Sequence, residues 1–204
     1  MDVGTGDGHS VLRRARNDEH SLFIGIDANA AGMREASRRA ARRQDRGGVP
    51  NSMFLVEAAE ALAGPLTERA DEVTVVLPWG SLLHGMLRAD PAVVGALRGL
   101  LREGGRLEAL LSVAEGDGVP GYGQLTDHSQ TRMAAAYQAL GLECVEIRPA
   151  NETDVERLSS SWARRLGIPK RRDAWIVSFR RETGREPVAG RAASSGPNAP
   201  NPGD

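Results

Sequence analysis

Cysteine, lysine and aromatic side chains are scarce in this 204-residue chain. Cys144 is the single cysteine, which excludes an internal disulfide and fits a reducing compartment. Lys170 is the sole lysine among 26 basic residues, so arginine carries nearly all the positive charge. With alanine and glycine also abundant, that bias points to a G+C-rich genome before it points to phosphate binding. A formal net charge of −1 excludes a global attraction to nucleic acid, so any such binding rests on local patches. No apolar run approaches the ~20 residues of a membrane-spanning helix, and no signal peptide precedes the first motif. A soluble, cytoplasmic protein without a membrane partner is expected. His9, His20, His84 and His128 lack metal-ligand spacing, and no Ser-His-Asp or cysteine-nucleophile pattern occurs, so no metal is expected. The length suits one sizeable domain.

What is present alternates strand with helix. Strands are expected over Leu22–Asp27, Met53–Glu57, Asp71–Leu77, Arg106–Val113, Glu143–Arg148 and Ala174–Arg180. Helices are expected over Val11–Asn17, Ala30–Arg43, Pro91–Arg102, Thr131–Leu140 and Asp154–Leu166. Such alternation implies an α/β fold, a mostly parallel sheet with helices on both faces. From Glu182 onward small residues and proline show no apolar periodicity. The expectation is a folded domain over 1–181 and a disordered tail over 182–204.

The most informative segment is Asp2-Val3-Gly4-Thr5-Gly6-Asp7-Gly8. Glycines let backbone N–H groups approach a ligand closely and reach positive φ at little cost. Twenty-three residues after Gly4, the run Leu22-Phe23-Ile24-Gly25-Ile26 ends in Asp27, placed to take two ribose hydroxyls. A dinucleotide fingerprint would need glycine where His9 stands. The spacing after an acidic residue instead resembles motif I of S-adenosylmethionine (SAM) methyltransferases. An ordinary tight turn is the competing reading, which the placement of Asp27 weakens. Only Met1-Asp2-Val3 precede Gly4, whereas a central strand usually has about five or six residues. Either an upstream start, the favoured expectation, or a truncated first strand follows.

Leu77-Pro78-Trp79-Gly80 closes the fourth strand at the cofactor edge. Enzymes that methylate exocyclic amines of bases carry a polar residue and two prolines there; Leu77 and a single proline remove that hydrogen-bond partner. A ring nitrogen already presents a lone pair, so positioning in line with a methyl donor can supply most of the catalysis. Trp79 would then be a stacking platform, or else core filler at a strand end. Leu158, Trp162 and Leu166 recur every four residues, which fits an amphipathic core face as well as a second stacking surface. Trp175, among apolar neighbours, is expected in the core. Arg34, Arg38 and Arg42 share a helical face with Arg39, Arg43 and Arg46 beside it; Arg164, Arg165, Lys170, Arg171 and Arg172 form a second cluster. Both runs read equally as solvated faces or as phosphate-binding patches.

Taken together, these segments resemble the aminoglycoside-resistance 16S rRNA (adenine1408-N1)-methyltransferases of the Kam and Npm type. The resemblance runs from Asp2 to about Arg180 through Ile24-Gly25-Ile26-Asp27, Ala58-Ala59-Glu60-Ala61-Leu62, Leu77-Pro78-Trp79-Gly80 and Ser161-Trp162-Ala163-Arg164-Arg165-Leu166. It implies a Rossmann-like class I fold with a seven-stranded sheet, SAM as cofactor, and 16S rRNA of the assembled 30S subunit as substrate for a monomeric enzyme. Asp2, Gly4 and Gly6 would line the methionine end of SAM, Asp27 the ribose, and Ala59 with Glu60 the adenine, with Leu77 also at the cofactor. Trp79 and Trp162 would stack on the flipped target adenine, with Ser160 nearby. Arg38, Arg39, Arg42, Arg43, Lys170 and Arg172 would contact rRNA phosphates. A related small-molecule methyltransferase, or an inactive remnant with a damaged first strand, are the alternatives.

Overall fold

Runs such as Val73-Thr74-Val75-Val76 are too apolar to face water on either side, so they stack at the centre of a sheet. The computed structural model describes residues 1–62, 64–113, 125–158 and 161–184. Its seven strands are β1 (Asp2–Val3), β2 (Phe23–Asp27), β3 (Ser52–Val56), β4 (Ala70–Val76), β5 (Leu101–Leu111), β6 (Leu142–Pro149) and β7 (Trp175–Arg181). They lie in the order β3-β2-β1-β4-β5-β7-β6. The first five pair in parallel, while β7 runs antiparallel to both β5 and β6. The helices are α1 (His9–Asn17), α2 (Ala30–Ala40), α3 (Gly80–Arg88), α4 (Pro91–Leu100), α5 (Asp127–Ala139), α6 (Glu152–Arg157) and α7 (Ser161–Leu166).

Side-chain alternation along the strands sorts the helices onto two faces. Leu107, Ala109 and Leu111 of β5 and Val177 and Phe179 of β7 share the main core with α3, α4 and α5. There the Tyr137 ring stacks on Phe179 at 4.1 Å, and its hydroxyl donates to the Met86 carbonyl at 2.9 Å. On the opposite face Leu110 and Ile176 pack with Val155, Leu158 and Ala163 of the α6–α7 segment. Leu12, Ala15 and Ala36 of α1 and α2 cover Phe23 and Phe54 in a third cluster.

The first strand is short, yet it is paired on both sides. Asp2 sits opposite Gly25 of β2 and Thr74 of β4. Met1 extends the pairing: its ammonium donates to the Glu72 carbonyl at 2.6 Å, and its carbonyl accepts the Thr74 N–H at 2.7 Å. Burial lowers the pKa of that ammonium.

Several expected elements change shape. Gly80–Arg88 is helical, although the sequence reading assigned that stretch only a motif. The helix expected over Pro91–Arg102 ends at Leu100, and β5 begins on the next residue because Leu100 and Leu101 are both buried. The helix expected over Ala30–Arg43 stops at Ala40; the chain then folds back so tightly that a Cβ on Gly48 would lie 1.8 Å from the Arg42 carbonyl oxygen. The helix expected over Asp154–Leu166 is two pieces. One continuous helix would carry Trp162 on the same face as buried Leu158. The break keeps Leu158 and Ala163 in one cluster and leaves Trp162 outside it. The tail expected over 182–204 lies, apart from its first three residues, outside the described residues.

A capping box starts α6: Asn151 accepts from the Asp154 N–H at 3.0 Å, and Asp154 accepts from the Asn151 N–H at 2.9 Å. Arg148 adds two bonds to the same carboxylate, at 2.6 and 2.8 Å. Those bonds are the main reason the Asp154 carboxyl is held below its ordinary 3.8. A depressed carboxylate contributes stability that is complete above its unfolded pKa and disappears as pH falls through the folded one. Urea unfolding should therefore show the wild type losing more stability than Asp154→Asn between about pH 5 and about pH 3. Equal losses would contradict the assignment.

Candidate active site at the carboxyl edge of the sheet

Strand order reverses between β1 and β4, and open α/β sheets bind ligands in the crevice beyond the strand carboxyl ends at such a point. A cleft of about 1010 Å³ lies there. Its walls are the turn after β1, residues 27–29 after β2, residues 57–60 after β3 and residues 76–83 after β4. Ser112, Trp162, Leu166 and Arg172 complete it.

The turn after β1 is held from below. Gly4, Gly6 and Gly8 have φ of 73°, 63° and 70°, a region that favours glycine. The N–H groups of Gly4 and Thr5 both donate to the Ile26 carbonyl, at 2.8 and 3.1 Å. Asp27 accepts from the Gly6 N–H on one oxygen and from the Asn29 N–H on the other, each at 2.8 Å. Its carboxylate thus ties the glycine turn after β1 to the loop after β2 while lining the cleft. A Cβ at Gly6 would meet nothing within 4 Å, so the backbone there is bare.

Asp2 is placed differently from Gly4 and Gly6. It is buried behind the turn and does not line the cleft. Its carboxylate accepts hydroxyls from Thr5 at 2.7 Å, Ser10 at 2.9 Å and Thr74 at 2.8 Å. Arg14 donates in turn to the Thr74 hydroxyl at 3.0 Å. The residue shapes the turn from beneath.

Ala59 and Glu60 lie in a short 3-10 turn (Ala59–Ala61) on the cleft wall. Leu77 has φ of 50°, unusual for a residue with a Cβ, and its N–H donates to the Leu110 carbonyl at 2.8 Å. This left-handed kink ends β4 and turns Pro78 and Trp79 toward the cleft. Trp79 is 87% exposed and Trp162 is 53% exposed, so neither serves as core filler. Both line the same cleft. The Arg165 guanidinium lies over the Trp162 ring, 5.6 Å from its centroid. Trp175 is half-buried against the main core.

The basic residues separate by environment. Arg38, Arg42 and Arg43 are exposed on and after α2, with Arg39 half-buried beside them. Arg43 pairs with Asp45 at 3.0 Å. Lys170 is exposed and pairs with Glu152 at 2.9 Å, which raises its pKa. Arg172 instead donates to the Ser112 hydroxyl at 2.7 Å and belongs to the cleft wall. Ser160 lies outside the described residues. Sequence reasoning missed Ser112, whose hydroxyl donates to the Asp173 carbonyl at 2.6 Å. Its one available signal was its place near the carboxyl end of the strand expected over Arg106–Val113, which the structure ends at Leu111. Among the described residues no cluster of His, Cys, Asp or Glu could hold a metal ion, and no helix is long and apolar enough to cross a membrane.

Residues 1–180 match the family described as NpmA: 16S rRNA (adenine(1408)-N(1))-methyltransferase. The chain belongs to this family. It is 34% identical over 177 residues to the 16S rRNA (adenine(1408)-N(1))-methyltransferase of Streptoalloteichus hindustanus, covering 84% of this chain and 81% of that one. The enzyme of the same name from Streptoalloteichus tenebrarius is 32% identical over 171 residues, with 81% and 79% covered. Among solved structures, a tryptophan-to-alanine mutant of the Catenulisporales acidiphilia 16S rRNA (adenine(1408)-N(1))-methyltransferase with cosubstrate SAM superposes with a TM-score of 0.80. Identity there is 31%, with 92% of this chain and 87% of that chain covered. The donor set suits SAM: bare backbone at Gly6, the Asp27 carboxylate at a strand end, and small apolar residues at Ala58 and Ala59 for a purine ring.

Gly6 and Gly8 separate backbone strain from crowding. A Cβ on Gly8 would lie 2.5 Å from the Phe54 ring and 2.9 Å from the Ala36 Cβ, whereas Gly6 has open space. Gly6→Ala should cost about 1–2 kcal/mol of left-handed strain. Gly8→Ala should add roughly 1–3 kcal/mol of overpacking to that. Equal losses in chemical denaturation would show that Phe54 does not hold the turn.

Proposed function

We propose that the chain transfers the methyl group of SAM to N1 of adenine 1408 in 16S rRNA of the assembled 30S subunit and so confers aminoglycoside resistance. The observation that carries this reading is the pair of exposed tryptophans, Trp79 and Trp162, on one cleft in a chain of the NpmA family. When bound, SAM supplies an electrophilic methyl group. Gly4 and Gly6 would hold its amino-acid end, Asp27 its ribose, and Ala59, Glu60 and Leu77 the remainder.

Adenine N1 presents a lone pair, so the residues need not remove a proton before attack. Their task is to hold the base in line with the methyl group, and orientation alone can supply several kcal/mol, up to roughly 7–11. A base inside folded rRNA must first leave its stack. Trp79 and Trp162 offer two aromatic faces to receive it, and their electron-rich rings stabilise the positive charge that N1 methylation creates. Arg38, Arg39, Arg42, Arg43, Lys170 and Arg172 supply phosphate contacts by which a nearly neutral protein grips rRNA through its shape. The added methyl and charge block the Watson–Crick edge to aminoglycosides that hydrogen-bond there. The protein acts as a monomer in the cytoplasm, where the subunits are.

Base–aromatic stacking is worth about 1–3 kcal/mol per base, or roughly 5- to 150-fold in rate. Trp79→Ala and Trp162→Ala should each lower methyl transfer to purified 30S subunits by that order, with calorimetric SAM affinity retained. Full activity in both variants would overturn the stacking role. Replacing Arg38, Arg39, Arg42 and Arg43 together by glutamate should abolish transfer to 30S subunits while leaving SAM affinity unchanged. Undiminished transfer would reduce that patch to a solvated helix face.

A further inference from the structure

Six charged side chains close a ring on the sheet face covered by the α6–α7 segment. Arg106 of β5 pairs with Glu108 at 2.6 Å and reaches Glu146 of β6 at 3.5 Å. Glu146 pairs with Arg148 at 3.0 Å, and Arg148 with Asp154 of α6 at 2.6 Å. Arg157, also on α6, lies 3.7 Å from Asp154 and returns the ring to Glu108 through a short hydrogen bond. Glu108 is wholly buried and Asp154 nearly so. Three guanidinium groups thus face three carboxylates across two strands and one helix.

Such a ring is a poor way to gain net stability, since desolvation of buried charges offsets their attraction and apolar packing does as well. Apolar packing is already present beside it, where Val155 and Leu158 meet Leu110 and Ile176. What charge pairs add is direction. The paired bonds from Arg148 to Asp154 fix an angle as well as a distance. Direction matters because α6 and α7 have six residues each, too short to hold themselves. Leu158 at the end of α6 and Ala163 beside Trp162 sit in one cluster, so packing joins α7 to α6.

We propose that this ring sets the position of Trp162, which makes Glu108, Asp154 and Arg157 positioning residues for methyl transfer. The proposal rests on the stacking role given to Trp162 above. None of the three lines the cleft, so they act through the helix they anchor. A misplacement of about 1 Å in a reacting geometry can cost on the order of a hundredfold in rate.

The test uses the full chain labelled with 5-fluorotryptophan, which gives one fluorine resonance each for Trp79, Trp162 and Trp175. Arg157→Met removes the exposed guanidinium on α6, and Glu108→Gln neutralises the wholly buried carboxylate without changing its shape. In both, the Trp162 resonance should shift or broaden while that of Trp79 stays in place. SAM affinity should remain within about twofold, and kcat on 30S subunits should fall about tenfold or more. Arg157→Lys, which keeps the charge, should recover much of the rate. An unmoved Trp162 resonance, or undiminished transfer in both variants, would overturn the proposal. Wild-type protein that does not methylate 30S subunits would defeat the functional reading instead, and the resonances would still report whether the ring holds Trp162.

Discussion

The carboxylate of Asp2 accepts three hydroxyl groups from three parts of the chain: Thr5 in the glycine turn, Ser10 in α1 and Thr74 in β4. A strand of two residues contributes few backbone hydrogen bonds, yet β1 occupies the middle of the sheet at the point where strand order reverses. Side-chain bonds to Asp2 supply the missing connections. With Arg14 behind Thr74, they fasten the first turn to both neighbouring layers. The glycine turn on this side of the cleft is braced from below by that buried cluster. An isosteric amide at position 2 would keep the shape but lose the charge that strengthens all three bonds.

The cleft combines two kinds of wall. On the cofactor side, strand ends and glycine turns fix backbone atoms, and Asp27 ties one turn to the next. On the other side, the two exposed tryptophans stand on separate supports. Trp79 follows the left-handed kink at Leu77, anchored through the Leu110 carbonyl. Trp162 rides on a short helix whose partner α6 is held by the ring of charges. Leu110 therefore serves both supports, its carbonyl on one side and its side chain on the other. A reaction that needs alignment more than proton transfer is well served by rigid, separately braced walls.

The glycine turn and Asp27 were legible in the sequence because spacing and φ preference are local properties. The alternation of strands and helices was legible for the same reason. The bonds of Asp2 were not legible: nothing local announces that Thr74, far along the chain, would claim its carboxylate. Helical spacing of Leu158, Trp162 and Leu166 suggested one face, but a break in the helix assigns Leu158 to the core and Trp162 to the cleft. The segment Gly80–Arg88 hid its helix because its apolar residues serve both the core and the cleft wall. Arg106 and Glu108 fall within the strand expected over Arg106–Val113, and their partners on β6 and α6 come together only through the antiparallel pairing of β7.

Reverse transcription across the decoding site of 30S subunits, after incubation with the protein and SAM, tests the proposed reaction most directly. Methylation at N1 removes Watson–Crick pairing, so copying should stop at adenine 1408, and the stop should require both protein and SAM. A stop at another nucleotide, or read-through of a subunit that has taken up methyl groups, would contradict base capture at that adenine.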